Sequence, residues 1–154
     1  HRVMECLNYS KAGSTEDIKN EIDRMVREEK LSLKQAECIK LKDIDTFASS
    51  SIGERIKRAY AYGGVKREQP FVFEYDRQLV QGVIDLYFIE DGQLVIVDYK
   101  TDRVLRGRAG EDELRRRYSI QLDYYAMALS QITGLKVKEK VIYSFALGRS
   151  LTVE

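Results

Sequence analysis

Histidine, cysteine and proline are nearly missing from this sequence, and each scarcity removes a class of function. The 154 residues hold one His, two Cys and one Pro. Two thiols, Cys6 and Cys38, are too few for a tetrathiolate zinc or iron–sulfur site. Both sit in helix-like contexts and read as reduced, half-buried thiols of a cytoplasmic protein. Excess charge is missing too: the net charge is +1, so any affinity for nucleic acid must come from a local patch. No apolar run is long enough to span a bilayer, and the charged opening His1-Arg2-Val3-Met4-Glu5 is no signal peptide. A membrane is therefore not an expected partner. There is no internal repeat and no low-complexity segment. What remains is an ordinary composition, with enough residues for one domain with a real core. The chain does not begin with Met and begins inside an apparent helix, so the expectation is a fragment of a longer chain.

Hydrophobic spacing divides the chain into a mainly helical part, residues 1–64, and a sheet core with one long helix, residues 65–154. Helices are expected over His1 to about Tyr9 and from a Ser14 or Thr15 cap, with Ile18, Ile22, Met25 and Val26 on one face. A third is expected from Leu31-Ser32, with Leu33, Ala36, Ile39 and Leu41 inward and Phe47 near its end. A fourth, Ile52 to about Tyr60, follows a serine cluster. Strands begin at about Val65, and Pro70 argues for an edge strand or a bulge. Asp76-Arg77 reads as a turn and Asp102 to Gly110 as a polar, Arg-rich loop. A helix from about Glu111 to Thr133 stops at Gly134. Lys136 to Ala146 is a last long strand, with Leu151 to Val153 a further candidate. The expected fold class is α/β with α+β character: a central mixed sheet flanked by helices.

The most informative stretch is Gln81–Thr101. Val83–Ile89 and Leu94–Val97 are apolar runs rich in residues that suit a pleated surface. Between them lies Asp91-Gly92, the preferred pair for a two-residue type I′ turn. That turn sets Glu90 against Gln93 and, counting outward, Asp85 against Asp98. Directly opposed residues have Cβ atoms roughly 4.5–5.5 Å apart. Period-2 alternation adds Lys100 to the face of Asp98. Two like charges opposite one another destabilise a strand pair, and a buried unpaired carboxylate costs more. Two remedies are open at this point. One is a structural salt bridge through Lys100 and a second cation; the other is a divalent metal held by carboxylate oxygens.

Metal-dependent phosphodiester cleavage needs these residue types. Two carboxylates hold Mg²⁺ or Mn²⁺, which lowers the pKa of a bound water. A lysine beside them orients that water and stabilises the charge developing on phosphorus. The backbone carbonyl of Tyr99, between the two active side chains, is placed as a further oxygen ligand.

The segments Gly82-Val83-Ile84-Asp85-Leu86 and Val97-Asp98-Tyr99-Lys100-Thr101-Asp102 closely resemble the PD-(D/E)XK nuclease superfamily. The resemblance is closest to the RecB-like domain at the C-terminus of the AddA-type subunit of bacterial helicase–nucleases. Arg67-Glu68-Gln69-Pro70-Phe71 is similar to the family's R-E-x-P-F strand, and Tyr118–Tyr125 to its Y-x-x-Q-x-x-x-Y helix. His1 is similar to the His of its G-T-x-x-H helix. The resemblance implies that Asp85, Asp98 and His1 ligate Mg²⁺ or Mn²⁺, and that Lys100 is catalytic. It implies that Gln121 and Tyr125 line the site near the DNA phosphate. It also implies a cytoplasmic, nucleoid-associated DNA exonuclease of double-strand-break repair and recombination. Its partners would be single strands of an unwinding duplex and a second helicase–nuclease subunit. The alternative is a non-catalytic nuclease-fold module that binds DNA or docks a partner subunit.

Plainer readings stand beside these. Lys100 also fits a snorkelling strand-end lysine, and Gln121 and Tyr125 fit helix-face neighbours at i, i+4. Glu68 reads as a solvated edge residue more readily than as a further ligand, and Tyr118 and Tyr124 read as packing. Arg103, Arg106, Arg108 and Arg115, with Arg116 and Arg117, form a basic cluster suited to sequence-independent phosphate contacts. Glu111, Asp112 and Glu113 dilute it, so a solvated loop and helix start explain it equally well.

Overall fold

The computed structural model describes residues 1–154. It divides into two compact units, His1–Gly63 and Gly64–Glu154. The first is helical: α1 (Arg2–Cys6), a 3-10 turn (Tyr9–Lys11), α2 (Thr15–Arg27), α3 (Leu33–Glu37), α4 (Leu41–Ser49) and α5 (Ser51–Ala61). Serines start three of these helices. Ser14 and Ser50 accept from the backbone N–H three residues on, and Ser32 forms a reciprocal capping box with Gln35. Ile18, Met25, Phe47 and Ile56 are fully buried. The carboxylate of Glu21 is buried too, gripped by Arg24 at 2.7 and 3.1 Å and by the Asn8 N–H at 2.9 Å. Arg24 also donates to the Cys6 carbonyl, which ties the start of the chain to α2.

Two local expectations fail here. The first helix stops at Cys6, and Tyr9 is buried in the 3-10 turn instead. The single third helix is two, because Lys40 is extended (φ −87°, ψ 104°) and restarts the helix at Leu41. Leu33, expected inward, is 71% exposed. It falls in the five-residue α3, none of whose residues is buried.

The second unit is a five-stranded sheet in the order β1 (Val65–Tyr75), β2 (Gln78–Glu90), β3 (Gln93–Lys100), β4 (Val137–Ser144), β5 (Arg149–Val153). Neighbours run antiparallel except β3 and β4, which are parallel and joined through the long helix α6 (Arg108–Thr133). The sheet is therefore mixed, as expected. The two two-residue hairpin turns, before and after β2, each use two residues at positive φ: Asp76 and Arg77, then Asp91 and Gly92. The second turn sets Glu90 against Gln93 and Leu86 against Val97, the expected register. Leu114, Leu122, Ala128 and Leu129 of α6 pack on Phe71, Phe73, Leu94, Ile96 and Ile142 to make the core. Helix α6 ends at Gly134 (φ 72°) as expected but starts at Arg108 rather than Glu111. Gly110 is consequently helical, not loop. An added Cβ there would lie 1.8 Å from the Leu105 carbonyl oxygen. The loop comes this close only because residue 110 has no side chain. No helix is long and apolar enough to cross a membrane.

Candidate active site

The site forms where β2 leaves β3. Their ladder runs from Glu90↔Gln93 to Leu86↔Val97 and stops. At the next position of the same register stand Asp85 and Asp98. Past Asp85, β2 pairs with β1 again from Ile84↔Gln69, and β3 stays with β4 as far as Lys100↔Ser144. Asp85 Oδ2 accepts the Tyr99 N–H at 2.8 Å, so a side chain takes over from the missing ladder bond. The first neighbour on the other side is irregular as well. Glu68 is passed over in the β1–β2 pairing and has φ 49°, rare for a non-glycine residue. Ile84 and Tyr87, three residues apart, both pack into the α6-facing core. A regular strand forbids that, so the alternation of β2 slips at Asp85.

Asp98 is 2% exposed. Its Oδ2 forms an ion pair with Lys100 Nζ at 2.8 Å. Lys100 Nζ donates to Gln121 Oε1 at 3.1 Å and sits 4.0 Å above the Tyr118 ring. Gln121 Nε2 in turn donates to the Tyr125 hydroxyl at 2.8 Å. The row Asp98–Lys100–Gln121–Tyr125 thus joins β3 to one face of α6, where positions i and i+4 are neighbours. Five of the expected residues, Asp85, Asp98, Lys100, Gln121 and Tyr125, are brought together with Tyr99.

Burial dominates the electrostatics. It raises the Asp85 carboxyl, against the pull of the Tyr99 N–H and Lys100. It pushes Asp98 up to about 6, with Lys100 opposing and Asp85 adding to the rise. Two carboxyls this close resist ionising together unless a cation lies between them. Burial, then the two aspartates, raise Tyr125 as well, which keeps its hydroxyl protonated. Having accepted from Gln121, that hydroxyl can still donate its own hydrogen.

The donor set fits a hard divalent ion. Asp98 Oδ2 is a buried anionic oxygen short of hydrogen bonds. Mg²⁺ binds through one or two carboxylates and completes its shell with water and phosphate oxygens. No group of three or more His, Cys, Asp or Glu side chains is arranged to hold an ion, so the fit is to the aspartate pair. His1 occupies the N-cap position of α1 in the helical unit and is exposed.

The arginines divide. Arg103 and Arg106 are exposed in the loop before α6, and Arg108 is exposed at its start. Arg115 is held by Asp112 at 3.3 Å and by the Thr152 carbonyl at 3.1 Å, so it also staples α6 to β5. Arg117 pairs with Glu113 and Asp102. Sequence reasoning passed over Asp102 and treated Tyr118 as packing. The Tyr118 hydroxyl donates to Asp102 Oδ1 at 2.7 Å, which fixes the ring under Lys100. The i, i+3 spacing of Tyr118 and Gln121 on one helix face was the available signal.

A hairpin that opens at its acidic pair, backed by one long helix, makes this an α/β layer of nuclease type. The chain belongs to the PD-(D/E)XK nuclease superfamily, whose model matches residues 1–151. It is 40% identical to an ATP-dependent helicase/nuclease subunit of a Thermoanaerobacter species over 166 residues, covering 98% of this chain. The protein of that name from Clostridium novyi is 35% identical over 94% of the chain, and that from Clostridium botulinum 34% over its full length. The chain spans 13% of the length of each of these relatives. A solved Vibrio cholerae protein aligns with 94% of this chain and 44% of its own, at 14% identity and a TM-score of 0.35.

Proposed function

We propose that this chain is the nuclease domain of a helicase–nuclease and hydrolyses phosphodiester bonds of DNA with Mg²⁺ or Mn²⁺. The observation that carries the reading is the pairing of half-buried Asp85 with buried Asp98 at the fork, with Lys100 2.8 Å from Asp98. In this reading Asp85, Asp98 and the Tyr99 carbonyl hold the metal, and the family resemblance adds His1 as a ligand. When bound, the ion polarises the phosphate and acidifies a water.

The chain's own residues do the rest. Lys100, held by Asp98 and Gln121, directs its remaining N–H toward the attacking water or a phosphate oxygen and stabilises the negative charge that develops there. Gln121 orients the Tyr125 hydroxyl, which donates to the phosphate. Asp98 and Tyr118 keep the ammonium in place. Arg103, Arg106 and Arg108 contact the strand's backbone, with Arg115 at the flank. By the same reading the DNA is a strand fed by a motor in a longer polypeptide. The word subunit in the relatives' name supports a partner subunit, and the resemblance alone suggests repair of double-strand breaks and a cytoplasmic location.

The test is incubation of the chain with labelled single- and double-stranded DNA, with Mg²⁺ or with chelator. Cleavage is expected only with the metal. Asp98→Ala is expected to lower the rate at least ~100-fold while keeping a folded circular-dichroism spectrum. An undiminished rate in that variant would falsify the assignment.

A further inference from the structure

Next to the catalytic row, on the side of the β1–β2 hairpin, lies an open cavity of about 340 Å³. That is the small end of the range for ligand pockets, roughly 300–1,000 Å³. Gln121 and Tyr125 line it on one side, so it is continuous with the row that faces the phosphate. Phe71 forms part of its wall and is fixed there: its ring packs edge-on against Tyr125 at 5.5 Å. A Cβ on Gly82 would come within 3.0 Å of that ring, so the glycine leaves the room Phe71 occupies. Tyr124, half-buried, meets Phe73 and Tyr75 edge-on at 6.1 and 5.6 Å. Ile120 stands 65% exposed at the mouth, and the Arg117 guanidinium, paired with Glu113 and Asp102, lies at the rim.

An apolar, aromatic wall beside a phosphate-directed row, with a cation at its edge, matches the face of a flat heterocycle attached to an anion. Stacking platforms of single-strand binding proteins combine the same parts. Resting on the nuclease reading, we propose that this pocket receives one unpaired nucleobase of the strand whose phosphate lies at Lys100, Gln121 and Tyr125. A paired base cannot enter, because its complement would have to follow it into a space of this size. The pocket therefore selects single strands, or frayed ends, over intact duplex. Tyr124 and Ile120 supply the stacking surface, and the row supplies the register of the backbone.

The decisive measurement is a cycle that crosses side chain with base. Fluorescence anisotropy with chelator present, so that nothing is cut, follows the 154-residue chain binding three probes. They are a labelled oligothymidylate, the same length of abasic strand, and a duplex. The base-bearing strand is expected to bind about tenfold more tightly than the abasic strand. Ile120→Ala and Tyr124→Ala are expected to remove several-fold of that preference without weakening the abasic strand, and Tyr124→Phe to retain it. Equal affinity of the wild-type chain for base-bearing and abasic strands overturns the proposal. So does an equal loss on both probes in the variants. Ile120 is exposed, so its variant decides the matter if Tyr124→Ala fails to fold. The nuclease reading is scored separately, by metal-dependent cutting of the same strand. A base-dependent cycle without cutting sinks that reading and leaves the pocket; cutting without the cycle does the reverse.

Discussion

Asp98 is the most deeply buried charged residue of the candidate site, and its burial has a consequence for stability. Its carboxyl rises from 3.8 in the unfolded chain to about 6, first because it is buried. Folding therefore favours the protonated form. The stability this contributes is fully present below about 4 and is lost as pH rises through about 6. A rise of that size corresponds to a loss of roughly 2–3 kcal/mol between pH 4 and 7. Urea unfolding with chelator present should show that decline in the wild-type chain and a flatter profile in Asp98→Asn. Identical profiles would mean that Asp98 is ionised and paired with Lys100 in the folded protein at all these pH values. At this scale much was legible beforehand. Asp85, Asp98 and Lys100 follow from a two-residue turn and strict alternation, which are local rules. The bond between Tyr118 and Asp102 was not: it closes across the loop between β3 and α6.

Among the elements, α6 and the β2–β3 fork carry the site. The start of α6 depends on Gly110, whose missing Cβ admits the Leu105 carbonyl. Gly110→Ala forces backbone against backbone, so no rotamer change relieves it. The expected cost is about 3 kcal/mol or more, read from the thermal or urea midpoint. Cleavage is expected to fall in step, because the Asp102 loop leads into this turn. A variant of wild-type stability would show that the loop can withdraw freely. Sequence periodicity placed this helix but started it three residues late, since a glycine beside charged residues reads as a breaker. It also merged α3 with α4, because the apolar spacing continues through Ile39 while the backbone at Lys40 does not. The fork itself had no signature. Residues 83–89 read as an even strand, and the structure breaks that evenness at Asp85, which pairs with neither β1 nor β3.

For the molecule as a whole, the sheet unit brings anions and cations to the same region. With net charge near zero, the proposed affinity for DNA is assigned to the exposed arginines around the start of α6. Binding should weaken steeply between about 50 and 200 mM salt, with a slope near −0.7 for each strand phosphate contacted. Removing Arg103 and Arg106 together should lower that slope by roughly one to two. A salt-insensitive affinity would exclude this role. Metal binding to the folded chain alone should raise the midpoint of unfolding, by about 2.7 kcal/mol at a hundredfold excess over Kd. Asp98→Asn should lose most of that rise. No rise with Mg²⁺ or Mn²⁺ in the wild-type chain would leave the aspartate pair a structural feature.

By itself the sequence determined the mixed α/β class, the turn at Asp91-Gly92 and the register that follows from it. These rest on backbone preferences and alternation, which act over a few residues and so are written in order along the chain. Only the tertiary structure decided that β2 parts from β3 at Asp85, that Tyr118 lies beneath Lys100, and that a pocket opens beside Tyr125. Each of those depends on several elements packing at once, and close packing is a property of neighbours in space rather than in sequence.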